Sequence, residues 1–128
     1  MLPTAEQILE AAPSLIGATT ESFDVTAVRA ALKLAGDLAR LRSRRLALVT
    51  DECAALMVAF ATHPTAFPQH WRLMARALVA SHARSYGYAL HASAAESEAL
   101  LVRIVAMETD VVVSVRRWFV RHLRPLPS

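Results

Sequence analysis

The sequence predicts an all-α protein, a single-domain bundle of about three to five helices. Three observations carry the prediction. Glycine is confined to positions 17, 36 and 87, and the prolines to 3, 13, 64, 68, 125 and 127, so long stretches run without a breaker. Within those stretches apolar residues recur every three or four positions, the interval that lines one face of a helix. Thr4 with Gln7, and Ser93 with Glu96, form capping boxes in which each partner satisfies an orphan amide at a helix start.

Taken in order, the Thr4 box opens a short helix over 5–12, with Ile8 and Leu9 turned inward and Pro13 as its end. Residues 14–23 read as a connecting loop. From Asp24 a seam runs through Val25, Val28, Leu32, Ala35 and Ala39 and resumes at Leu46, Val49, Cys53, Leu56 and Phe60. It crosses an arginine cluster and the segment Thr50-Asp51-Glu52, a capping signal, so two helices breaking between 43 and 51 are preferred to one continuous helix over 24–62. The stretch from His63 to Pro68 reads as a turn, with Pro68 as the first residue of a helix over 68–86 whose stripe is Trp71, Met74, Leu78 and His82 and whose cap is Gly87. The Ser93 box announces the last and longest helix, 94–123. Its inward face carries Leu101, Ile104, Val111, Val115, Trp118 and either His122 or Leu123, with Leu100, Met107 and Phe119 on the flank. The valines around 113 favour a strand, but a lone strand there would have no partner, and helix is preferred. Residues 124–128 form a short extended tail, since their prolines cannot continue a helix.

Composition limits the function classes. The chain has 128 residues, 55% of them hydrophobic and 20% charged, with a mean hydropathy of +0.34. A domain of this size cannot hide so much apolar surface in its own core, so part of it is expected to meet a partner, first of all a second copy. Disorder requires the opposite composition. The first residues carry neither a basic region nor a continuous apolar stretch, so no secretory signal is expected, and no window is apolar for long enough to cross a membrane. The expected setting is the cytoplasm, bacterial or of a host cell.

The motifs of catalysis are missing. No GxSxG elbow, HExxH helix or glycine-rich phosphate loop is present, and a single cysteine, Cys53, rules out an internal disulfide. The five histidines, at 63, 70, 82, 91 and 122, include no pair three or four residues apart, so neither a metal nor a cofactor is expected. If the protein were an enzyme, the residues to inspect would be His70, His82 and Glu108. Asp51-Glu52 reads as a pair of acids stabilised by a helix N-terminus.

The most specific positive feature is arginine. Thirteen of the fourteen basic residues are arginine, and few have an acid three or four positions away, Asp37 with Arg40 being the main pair. Arg117, Arg121 and Arg124 form one stripe with Arg116 beside it, and Arg40, Arg44 and Arg45 form a second group. These seven are candidate contacts to an anion or a partner, and Trp71, Trp118 and Phe119 are candidate apolar interface residues. The function expected is a non-enzymatic helical protein–protein interaction module that forms homo-oligomers. The alternative is a nucleic-acid-binding helical protein that sets its arginine face on phosphates.

Overall fold

A computed structural model describes residues 1–16, 23–42, 49–106 and 111–127, with the side chains of 16, 41 and 42 excepted. Six α-helices lie in them: α1 (Ala5–Ile16), α2 (Val25–Arg42), α3 (Val49–Ala61), α4 (Trp71–Ser85), α5 (Ala94–Ala106) and α6 (Val111–His122). A 3₁₀ turn, Pro64–Ala66, precedes α4, and β1 (Tyr88–Leu90) pairs antiparallel with β2 (Leu123–Pro125). The all-α class is therefore correct, with one helix more than the upper end of the expected range.

Helix α3 is the axis of the molecule. Every residue from Asp51 to Ala61 is buried, and α2, α4, α5 and α6 all pack on it. Its sequence explains why, since an unbroken apolar run from Cys53 to Ala61 presents no polar side to water and is stable only when covered all round. Alanines of α2 (Ala31, Ala35 and Ala39) let that helix approach closely, and Phe60, Phe67, Met57, Met74, Leu101 and Phe119 fill the centre. Because α2 packs against α3, residues 24–62 are two helices, as preferred; the connection, 43–48, lies outside the described residues.

The caps follow the sequence closely. Gln7 and Thr4 exchange hydrogen bonds at α1 (2.9 and 3.2 Å), and Glu96 and Ser93 do the same at α5 (2.9 and 3.1 Å). Gly87 ends α4 with φ of +83°, a left-handed conformation that residues with a Cβ rarely adopt. Ser93→Ala removes the acceptor for the Glu96 amide, and a loss of about 1 kcal/mol is expected in urea unfolding.

Three boundaries and the start of one seam differ from expectation. Helix α1 continues past Pro13 to Ile16; Pro13 faces water, and the inward packing of Ala12 and Leu15 on either side of it offsets the backbone hydrogen bond that the proline cannot make. Helix α4 starts at Trp71, not Pro68; Phe67 and Ala66 are drawn into the core, and the chain turns once more, the His70 amide donating to the Phe67 carbonyl, before the helix begins. At the start of the α2 seam, Val25 is 39% exposed and the inward row is Val28, Ala31, Ala35 and Ala39.

The largest difference is the last helix, which is two helices. His122 Nε2 lies 3.4 Å from Glu96 Oε2, whereas a continuous rod rising about 1.5 Å per residue would hold them about 39 Å apart. A rod of that length would outrun the domain and leave half its apolar face uncovered. By folding back, the chain sets Val112, Val115, Trp118 and Phe119 into the core. Residues 107–110, including Met107 and Glu108, lie outside the described residues. The turn also shifts the helical phase, so Phe119, expected on the flank, is buried and Val112 takes the place of Val111; in α5 the inward face is wide enough to bury Leu100, also expected on the flank, together with Leu101 and Ile104. The chain beyond α6 forms β2, whose partner β1 follows Gly87. His91 N–H donates to the His122 carbonyl (2.7 Å) and Leu126 N–H to the Gly87 carbonyl (2.8 Å), extending the ribbon at both ends.

Candidate functional site

Two polar clusters and one apolar surface stand out. The first cluster forms where the N-terminal turn of α3 meets the C-terminal half of α4. Glu52 is 5% exposed, and its Oε1 accepts hydrogen bonds from His82 Nε2 (2.7 Å) and the Tyr86 hydroxyl (2.9 Å), with the Met1 amino group 3.2 Å away and also touching the Tyr86 hydroxyl. Burial raises the Glu52 carboxyl, but the bonds from His82, Tyr86 and Met1 outweigh it and hold it below its ordinary 4.5. Burial also pushes the His82 imidazole below 6.5, against the pull of Glu52. At neutral pH a carboxylate therefore faces a neutral imidazole, and because the carboxylate can only accept, Nε2 carries the proton.

These shifts set a pH profile. As pH falls through 6.5 the unfolded chain binds a proton that folded His82 resists, and below 4.5 unfolded glutamate does the same relative to Glu52, so stability falls on the acid side. On the alkaline side, burial raises the Cys53 thiol from 9.0 to about 12, so ionisation of the unfolded thiol lowers stability above pH 9.0. Urea unfolding free energies are expected to be greatest between these limits; a maximum below pH 6.5 contradicts the assignment. Cys53 is itself fully buried, its Sγ 3.9 Å from the Val79 carbonyl, and the native protein is expected not to react with a thiol-specific disulfide reagent until it unfolds.

The second cluster links α3 to α6. Asp51, 3% exposed, has Oδ1 2.5 Å from Arg116 Nε, without the alignment of a hydrogen bond. Asp51 and Glu52 lie in the first turn of α3, as expected, and also tie it to two different helices. Nearby, Arg76 of α4 meets Glu98 of α5 at 3.3 Å.

These pairs redistribute the arginines. Arg116 is spent on Asp51 and Arg40 on Asp37 (2.5 Å), while Arg44 and Arg45 lie outside the described residues. Arg117, Arg121 and Arg124 are exposed; Arg124 donates to the Leu123 carbonyl (2.8 Å), and Arg117 and Arg121 make no ion pair among the described residues. Trp118 and Phe119 are core residues, 5% and 0% exposed, stacked edge to face at 5.0 Å, and so do not form an interface. The inward position of Trp118 agrees with the expected inner face of the last helix, whereas Phe119 was expected on its flank. Trp71 is half-buried, with the Arg72 guanidinium 5.2 Å from its ring centre. Of the residues named for an enzyme, His82 is in the first cluster, His70 precedes α4, and Glu108 lies outside the described residues. Among the described residues, no three histidines, cysteines or acids are placed to hold a metal, and no helix is long and apolar enough to cross a membrane.

The apolar surface is the outer side of α5. The inner side buries Ser97, Leu100, Leu101 and Ile104. The outer side carries Ala95, Ala99, Val102, Val105 and Ala106, all exposed, Val102 by 60% and Val105 by 62%, with the half-buried Glu98 between Val102 and Val105 around the helix and Glu96 and Arg103 along the far border. A helix that is apolar on both sides is characteristic of one covered on both sides.

The fold and these sites define a class, an all-α bundle around a buried central helix with one apolar helix face turned outward. No protein-family model matches the chain, and neither a curated protein nor a solved structure matches it.

Proposed function

We propose that this protein is a non-enzymatic protein–protein interaction module that associates with a second copy of itself through α5. The supporting observation is the outer face of α5, where Val102 and Val105 are more exposed than almost any other large apolar side chain. The charged border suits a second copy, because Arg103 of one chain can meet the exposed Glu96 of the other. Size-exclusion chromatography with light scattering at micromolar concentration tests it. The wild type is expected to run as an oligomer and Val102→Glu with Val105→Glu as a folded monomer. A monomeric wild type contradicts the proposal.

The nucleic-acid reading has less support. With Arg116 and Arg40 already paired, Arg117, Arg121 and Arg124 remain exposed among the described candidates. These three described arginines alone would give a salt slope of only about −2.7, shallow for non-specific binding at physiological salt.

A further inference from the structure

A cleft of about 410 Å³ opens between α1 and α4, at the lower end of the range for small-molecule sites. Ile8, Ala11 and Leu15 of α1 and Leu78 of α4 give it apolar walls, and Ser81 and His82 add polar groups. His82 is unlike the histidines at 63 and 122, whose Nδ1 atoms each bond the carbonyl four residues earlier, at 2.8 and 2.7 Å. In His82 it is Nε2 that is engaged, by Glu52, and Nδ1 is neither bonded among the described residues nor one of the buried polar atoms left without a partner. The ring borders the cleft, so Nδ1 is its accessible polar atom, and with the proton on Nε2 it is an acceptor. The Glu52 carboxylate behind it is paired with the Met1 amino group, which also lines the cleft, so the two charges offset one another and the acceptor Nδ1 selects a head that can donate.

We infer that this cleft is a small-molecule site for a ligand with an apolar body and a hydroxyl or ammonium head, the head donating a hydrogen bond to His82 Nδ1. Binding is non-covalent and rests on a different surface from α5. Burial keeps His82 neutral and Nδ1 unprotonated at neutral pH, and Glu52 holds the ring in the tautomer that accepts.

The test follows methyl and imidazole NMR resonances of the full chain during titration with benzyl alcohol, benzylamine, toluene and benzoate, which share a ring and differ in the head. Benzyl alcohol and benzylamine are expected to shift Ile8, Leu15, Leu78 and His82, with toluene and benzoate each about tenfold weaker or more. His82→Phe is expected to erase the preference for a donor head. Ala11→Trp, placed on the exposed side of α1, fills the cleft while keeping both Glu52 and His82 and is expected to abolish the shifts, so the test stands even where His82→Phe does not fold. Benzoate binding as well as benzyl alcohol, shifts surviving Ala11→Trp, or no shift with any probe at millimolar concentration overturns the inference.

Discussion

Phe119→Ala is expected to destabilise the protein by about 4 kcal/mol in urea unfolding. Phe119 is 0% exposed, among the largest fully buried side chains, and sits edge to face against Trp118 where α6 meets α3. Truncation removes the transfer free energy of a benzyl group and leaves a void that the surrounding helices close only in part. Against a typical total of about 5–15 kcal/mol, such a loss takes a large share of the stability. The experiment also separates two roles. An interface aromatic would change the oligomeric state with little effect on chain stability; Phe119→Ala is expected to do the reverse, and a loss below about 1 kcal/mol would contradict its place in the core.

His82→Leu is expected to cost about 3 kcal/mol at neutral pH. The leucine fills much of the same volume, so little of the loss is cavity; what is lost is the donor that meets the ionised Glu52 at 2.7 Å. Tyr86 still donates to the same oxygen, which limits the effect. Replacing both partners, His82→Leu with Glu52→Leu, removes the buried charge together with its need for a donor and is expected to recover most of the stability, because an apolar pair of matching shape is nearly neutral. A double variant no more stable than His82→Leu alone would show that the Glu52 carboxylate is not what makes the single change costly.

Much of the fold was legible because its signals are local. The capping boxes at Thr4 and Ser93, the glycine at 87 and the turn at Pro64 each act over a few residues, and each is found where the sequence put it. The stripe Met74, Leu78 and His82 also faces inward as its spacing implied. The break after α5 was missed because neither glycine nor proline marks it. The residues Thr109-Asp110, immediately before Val111, are of the type that starts helices and were the available signal. The central position of α3 was also readable, from the continuous apolar run after Glu52, but a search for a single seam extracts one face from a helix that has no outer face.

The polar site was not legible, for a physical reason. Glu52 meets His82, and Asp51 meets Arg116, only after α3, α4 and α6 have packed, and a helix-start acid carries no mark of a distant partner. The same holds for the ribbon, since three-residue strands are too short for a period and their pairing joins Gly87's turn to the end of α6. The arginines illustrate the converse. Their lack of local acids left the partner open, and for Arg116 and Arg76 the structure places it on other helices of the same chain.

The central claim is that the outer face of α5 is covered by a second copy of the chain. If so, unfolding is coupled to dissociation, and the melting temperature depends on protein concentration. Differential scanning calorimetry over a hundredfold range, about 2–200 μM, measures this directly. The wild-type melting temperature is expected to rise steadily with concentration, and that of Val102→Glu with Val105→Glu to stay constant. A wild-type melting temperature independent of concentration would contradict the account.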